Sequence, residues 1–383
     1  MKIVREKGKT RDQAKKKMTG KKKAIIALGA VLSAIIILLA TTYGVFLHYY
    51  NKMNITSDDD DEIVTAIDYE EDDINESELT DEERAQLDEL MNDPVSSAEG
   101  TESEDETVMK ADSKNVINIL LVGTDSRKAG NRRSRTDTMI ILSIDKQNKR
   151  MIMTSVLRDT YVKIPGVGKN RLNAAFVFGG PKLLFNTIEE NFDIHLDKYV
   201  QVDFFNFIKL VDAVGGVDMK LTAAEIKVMN KSYIPYIDKN IGKDRTAYLI
   251  KTVKDGTYHL NGVQALAYSR IRYVGNADFG RTERQRKVIG EIIKKTKKLS
   301  VSELNDLADI VLPMVSTNLS QGEVMSLLVN AKEYLNYSVV NGRMPIDGSY
   351  KYLKIRGASV LGVDFQSNRK YWYNLVYGKQ SKK

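Results

Sequence analysis

From Ala24 to Tyr50 the chain carries no Asp, Glu, Lys or Arg, and no other feature limits its fold so severely. Wound as a helix, residues 24–47 would be roughly 36 Å long, more than the roughly 30 Å of a bilayer's hydrocarbon core. The stretch is read as one transmembrane helix. A cleaved secretory signal is the alternative, but a signal's apolar region is only about 7–15 residues. Both readings send the rest of the chain outside. Lys15–Lys17 and Lys21–Lys23 precede the span and Asp58–Asp61 follow it, so the positive flank keeps the N-terminus in the cytoplasm. The expected location is the cell membrane, single-pass, with the folded part extracellular.

The net charge of +7 conceals a sharp segregation. Residues 1–23 carry about +9, residues 58–106 about −22, and everything beyond 106 about +19. Four segments follow: a basic cytoplasmic tail at 1–23, the span at 24–47, an acidic, mostly disordered spacer at 48–113, and a folded domain at 114–383. The spacer is too acidic and too poor in aromatics to bury a core, although Thr80–Met91 has the pattern of a short capped helix. The folded domain is basic enough to attract polyanions. Outside the cell these are envelope polymers and lipid headgroups, so nucleic acid is not an expected partner. The basic tail fits the anionic inner leaflet.

The chain has no cysteine and three histidines. Disulfides, thiolate metal sites and cysteine nucleophiles are excluded, and a histidine-built zinc site or Ser-His-Asp triad is disfavoured. Chemistry must rest on Asp, Glu, Arg, Lys or a hard cation.

The domain reads as α/β, a mixed central sheet covered by helices. Val116–Val122 is a short apolar run ending at Gly123, as in a buried strand. Thr138–Ile144 and Met151–Leu157 flank a polar turn and form a hairpin. Helical periodicity follows at Lys182–Asn191, Phe204–Val214, Gly262–Arg270 and Arg281–Lys297, with two more helices between Val301 and Tyr334. Strand-like runs recur at Gly216–Leu221 and Tyr350–Val363.

A hairpin turn between Gln147 and Asn148 pairs residues whose numbers sum to 295, which sets Asp137 opposite Arg158. Asp125 leaves the first strand at the adjoining turn, so two carboxylates can meet beside arginines, an arrangement suited to a hard cation bridging phosphate oxygens. A structural ion pair and a turn cap account for the same residues. Arg270 and Arg272 close one helix, and Asp278-Phe-Gly-Arg-Thr-Glu-Arg-Gln-Arg286 opens the next. A helix N-terminus with arginine forks suits a pyrophosphate; a solvated basic face is the other reading, and Arg286 and Lys287 are assigned to it. Phe176, Phe178, Phe185, Phe204 and Phe207 can line a hydrocarbon cavity or simply fill the core.

Five segments in order, Gly123-Thr-Asp-Ser-Arg127, Arg135-Thr-Asp-Thr138, Ser155-Val-Leu-Arg-Asp159, Ala267-Tyr-Ser-Arg-Ile-Arg272 and Asp278–Gln285, resemble the LytR-CpsA-Psr family of Gram-positive envelope proteins. They span residues 115–295 behind a single N-terminal span. Leu157 departs from the proline that the family often has there, which should change a local bend and not the chemistry.

The resemblance implies an α-β-α phosphotransferase. Its substrate would be an anionic glycopolymer, such as wall teichoic acid or capsular polysaccharide, on a polyprenyl-pyrophosphate carrier, and its acceptor peptidoglycan. It implies Mg²⁺ (or Mn²⁺) at Asp125 and Asp137. Pyrophosphate contacts would come from Arg135, Arg158, Arg270, Arg272 and Arg281, with Arg284 and Gln285 in the closing motif, and the prenyl tail would lie in an apolar cavity. Asp159 is the candidate to orient or deprotonate the acceptor, beside Arg158 and Asp137. Hydrolysis of the lipid pyrophosphate, and a noncatalytic regulator that binds envelope anions or lipid, are the competing readings. Residues 1–23 are too short for a DNA-binding module.

Overall fold

The chain joins its sheet sooner than its composition suggests. The computed structural model describes residues 43, 44, 46–56, 113–124, 134–272, 274, 275, 277–355 and 358–378. Within them Asn54–Ile55 forms an edge strand, β1, parallel to Ser316–Thr317, and the Thr56 N–H donates to the Thr317 carbonyl at 3.0 Å. The expected spacer therefore does not start at residue 48. Backbone pairing needs no apolar side chains, so composition gives no sign of it. The rest of that segment and the Thr80–Met91 helix lie outside the described residues, as does nearly all of the expected span. No helix among the described residues is long and apolar enough to cross a membrane.

Two compact units divide the chain between His48 and Tyr49. Of the first, only a helical end is described, with the Tyr43 and Phe46 rings stacked 6.2 Å apart.

In the second unit, β2 (Val116–Thr124), β3 (Thr136–Asp145) and β4 (Arg150–Val156) form an antiparallel meander. Ile140 pairs with Ser155 and Asp145 with Arg150, the register inferred from the turn. The small hairpin β5 (Tyr161–Ile164) and β6 (Gly168–Arg171) follows, and β7 (Tyr199–Asp203) returns parallel to β2. With β10 (Ser316–Thr317) and β11 (Ser338–Met344), the sheet among the described residues has seven strands in the order β1-β10-β7-β2-β3-β4-β11. Outside it lie the antiparallel pair β8 (Val217–Leu221) with β9 (Gly256–Leu260), and the hairpin β12 (Tyr350–Ile355) with β13 (Ala358–Val363).

Strand alternation gives the sheet two unlike faces. Leu120, Met139, Ile141 and Ile152 point into a core built with helix α1 (Leu172–Phe192) and helix α9 (Phe365–Tyr377), where Phe176, Phe178 and Trp372 are almost fully buried. The first of these helices begins ten residues before the periodic run at Lys182, because Gly179 and Gly180 join two helical pieces across a kink ahead of Pro181. Gly180 has φ +59°, a conformation that favours glycine.

The opposite layer holds a second core made by α2 (Phe204–Ala213), α3 (Ala223–Val228), α4 (Ile234–Asn240), α5 (Gly262–Ser269) and α6 (Ala277–Thr296). Helices α7 (Val301–Val311) and α8 (Gln321–Tyr334) follow, both opened by a capping box. Two junctions set this layer. Asp203 ends β7 and caps α2, accepting from the Asn206 N–H at 2.8 Å, so the strand turns directly into the helix. A Cβ on Gly262 would stand 2.1 Å from the Ile208 carbonyl oxygen, so α5 can approach α2 this closely only with glycine there.

Candidate active site

Between the sheet and the second layer lies a cavity of about 720 Å³, within the size range of ligand sites. Its floor is Leu121, Val200 and Val202, its walls include Phe204, Phe207 and Leu210, and Tyr233, Tyr236, Ile289 and Ile292 close it. Arginines crowd one end: Arg135, Arg158, Arg171, Arg270, Arg272 and Arg281 all line it, with Asp137 and Gln285. One compartment thus joins an apolar trough to a cationic end.

The hairpin register brings Asp137 and Arg158 together, and they form an ion pair. Burial alone would raise the Asp137 pKa, but Arg158, and then Arg281 and Arg270, outweigh it and hold the carboxyl below its usual range. Arg158 is correspondingly raised, with Asp137 and Asp159 overcoming its burial. Its Nε also stands 3.4 Å from Asp159.

Asp159 behaves in the opposite way. Burial and then the repulsion of Asp278 push its pKa up against the pull of Arg158, Arg281 and Arg171. Two adjacent carboxyls on opposite sides of the usual value is the signature expected of groups with different tasks.

Asp278, in the first turn of α6, holds Arg272 at 3.4 Å and Arg281 at 3.2 Å. Arg281 is only 3% exposed, and burial and the neighbouring Arg158 lower its pKa. Arg270 stacks on Phe204 at 4.3 Å and on Tyr236 at 5.5 Å, a cation–π clamp that positions the guanidinium at the junction of the two compartments. The Arg272 backbone N–H donates to the Tyr233 hydroxyl at 3.1 Å. Among the described residues, Arg281 Nε, Gln285 Oε1 and Asp159 Oδ1 are buried without a hydrogen-bond partner. Such groups are costly, and their concentration at one end of a cavity is what a site for a polar ligand requires.

The structure divides the predicted residues. Phe204 and Phe207 line the cavity, whereas Phe176, Phe178 and Phe185 belong to the core on the other face of the sheet. That helix packs on the opposite side, and so its aromatics never meet the trough. Arg284 turns inward from the cationic end: it donates to Glu225 at 2.9 Å and to the carbonyls of Ile271 at 3.2 Å and Val274 at 2.7 Å. It pins the loop that carries Arg272 to α3. Arg286 is buried and not a solvated surface group, and it donates to Ser155 Oγ at 2.5 Å.

Asp125 lies outside the described residues. Among those described, no cluster of three or more His, Cys, Asp or Glu side chains is placed to hold a metal. Asp137, an ionised oxygen donor facing the cavity, has the chemistry a hard cation selects.

Arg171 stands outside the motif segments, and only the turn of the β5–β6 hairpin brings it back beside Asp159. Part of the trough was legible locally. Arg281, Gln285, Ile289 and Ile292 share one face of α6 at helical spacing, and that face grades from guanidinium to hydrocarbon.

A LytR_cpsA_psr family model matches residues 86–376. The chain is 32% identical over 236 residues to a protein of Staphylococcus aureus named regulatory protein MsrR, covering 61% of this chain and 66% of that protein, just under two thirds of its length. It is 32% identical over 225 residues to a Bacillus cereus protein named polyisoprenyl-teichoic acid–peptidoglycan teichoic acid transferase TagU, covering 58% of this chain and 66% of that one. A solved structure of the family protein YwtF (TagT) with bound octaprenyl pyrophosphate lipid is similar over 70% of this chain and 92% of the other. Its identity is 25% and its TM-score 0.50.

Proposed function

The chain belongs to the LytR-CpsA-Psr family, and from that premise we propose that it transfers an anionic glycopolymer of the wall teichoic acid or capsular type from a polyprenyl-pyrophosphate carrier to peptidoglycan. The observation that carries this reading is the union of trough and cation cluster in one cavity, with buried Arg281 and Gln285 atoms that have no partner among the described residues where the two meet. A prenyl chain fits the trough; a pyrophosphate fits the guanidinium forks, which match its oxygens bidentately. The relatives' names favour the same chemistry, although one of them is called a regulator.

In the proposed reaction an acceptor sugar hydroxyl attacks the phosphorus that bears the glycopolymer. The new oxygen–phosphorus bond forms as the bond from that phosphorus to the bridging oxygen breaks, and polyprenyl phosphate leaves. The hydroxyl proton passes to Asp159, whose raised pKa suits a proton acceptor. Arg158, Arg270, Arg272 and Arg281 stabilise charge growing on the non-bridging and leaving oxygens, since positioning and electrostatics supply most of the rate in phosphoryl transfer. Asp125 and Asp137 would hold Mg²⁺ (or Mn²⁺), which when bound neutralises charge on the pyrophosphate. We place the protein in the cell membrane, anchored by residues 24–47 with its domain outside.

The test is product analysis with the full-length protein, a polyprenyl-pyrophosphate-linked glycopolymer, peptidoglycan fragments and Mg²⁺. A polymer–peptidoglycan conjugate released together with polyprenyl phosphate is expected, and Arg158→Ala should lower its formation by about 10²–10³-fold. Free polymer without conjugate would make the protein a hydrolase. Lipid binding with no turnover would make it a noncatalytic regulator.

A further inference from the structure

Beyond the cation cluster, away from the trough, the β12–β13 hairpin presents a chain of aromatic rings. Phe279 follows Asp278 in the first turn of α6, its ring centroid 4.9 Å from Tyr350. Tyr350 meets Tyr352 edge-on at 5.7 Å. Arg343, on the adjoining β11, lies over the outer side of this chain with its guanidinium 4.3 Å from the Phe279 centroid. It is tied there by Asp347 and the Pro345 carbonyl. None of these residues lines the cavity. Tyr352 is 63% exposed, although large aromatics are usually drawn into cores.

The hairpin is fixed to the reacting end. The Leu361 N–H of β13 donates to the Asp159 carbonyl at 2.9 Å, and Thr160 bridges Leu361 in parallel. Leu361 pairs across the hairpin with Tyr352. Two strand spacings therefore separate Tyr352 from the Asp159–Thr160 backbone, about 10 Å. Electrostatics agree, since partial desolvation of the exposed ring's hydroxyl, the neighbouring Tyr350 and the Asp278 charge raise the Tyr352 pKa while Arg343 opposes them.

An in-line displacement needs its nucleophile opposite the leaving group. With the prenyl phosphate leaving on the trough side, the acceptor must arrive from outside the trough, and the rings stand outside it on a hairpin anchored at Asp159. Aromatic faces stack on the C–H faces of sugar rings, and a neighbouring Arg supplies donors for sugar oxygens. We infer that Tyr352, backed by Tyr350 and Phe279 and flanked by Arg343, is the platform for the acceptor saccharide, one or two sugar rings of the peptidoglycan glycan strand. This rests on the transferase reading for its place in the reaction, but not for its binding.

Two measurements on the full-length protein in lipid nanodiscs separate these. In calorimetry with an uncharged oligomer of N-acetylglucosamine, which has the sugar-ring faces of the glycan strand without its lactyl carboxylates, wild type should bind, Tyr352→Ala should weaken binding about tenfold, and Tyr352→Trp should restore it. Because Tyr352 is exposed, neither variant should lose the fold, which circular dichroism checks. In the transfer assay, Tyr352→Ala should raise the acceptor KM by a similar factor and leave the lipid-donor KM unchanged. Binding without any turnover would overturn the transferase reading and leave the platform standing. Equal oligomer affinity in wild type and Tyr352→Ala, no binding by wild type, or a rise in donor KM alone would overturn the platform.

Discussion

The two ends of one hairpin carry the same residue pair in different states. At the turn end, Asp145 faces Arg150; at the open end, Asp137 meets Arg158. Asp145 accepts from Arg150 at 2.7 and 3.1 Å and from the Asn148 backbone and side chain at 2.9 and 2.8 Å. Arg150 gives its remaining donors to the carbonyls of Leu375 and Val376. That pair is closed. At the open end one carboxylate is shared among several arginines, and buried polar atoms nearby have no partner among the described residues. A buried ion pair becomes a structural clamp when its hydrogen bonds are complete, and part of a binding site when its charge and donors exceed what the protein satisfies.

The sharpest way to break this comparison is to remove the two arginines in turn. Arg158→Ala should keep the fold, because Arg281 and Arg270 still face Asp137, while losing transfer by the two to three orders of magnitude given above. Arg150→Ala should do the reverse, lowering stability by about 3–5 kcal/mol as Asp145 is left buried and unpaired, with kcat of the remaining folded protein unchanged. Denaturant titration beside single-turnover assays reads both. Loss of activity in folded Arg150→Ala would erase the distinction.

A loss of stability like that of Arg150→Ala separates Arg284 from the arginines around it. Its bonds to Glu225 and to the loop carbonyls make it a clamp of the turn-end kind. Arg284→Ala should cost about 3–5 kcal/mol of stability and lower activity only through a displaced Arg272. A variant of full stability with no pyrophosphate affinity would return Arg284 to the site.

In stability, Asp159 gives the smallest expected change, and it sharpens the comparison most. Its folded pKa lies above the ordinary 3.8, so the folded state binds this proton more tightly than the unfolded chain. The resulting stability is complete below about pH 4 and is lost as pH rises through the raised value. Asp159→Asn should therefore melt higher than wild type at neutral pH, by about 2–4 °C for each kcal/mol relieved, with the difference vanishing below the ordinary carboxylate range. The acid limb of the pH–rate profile should sit above 3.8 and disappear in this variant. An unchanged limb would remove Asp159 as proton acceptor.

Much of the fold was legible because it is local. A polar turn between two β-branched runs fixed the register that joins Asp137 to Arg158, and helical periodicity located α2, α5 and α6. Local patterning failed where contacts are distant. β1 pairs through backbone groups alone with a strand more than 250 residues away, and β7 and β11 enter the sheet as parallel neighbours of distant strands.

By itself, the sequence determined the charge segregation, the exclusion of thiol chemistry, the hairpin and the motif arginines, since these follow from composition and near-neighbour geometry. Only the tertiary structure decided which phenylalanines face a cavity and which fill the core. It also decided that Arg284 clamps a loop while Arg281 faces the cavity, and that Asp137 stays ionised while Asp159 resists ionisation. Each of these depends on desolvation and on charges brought together from separate elements, and both arise only when the layers close.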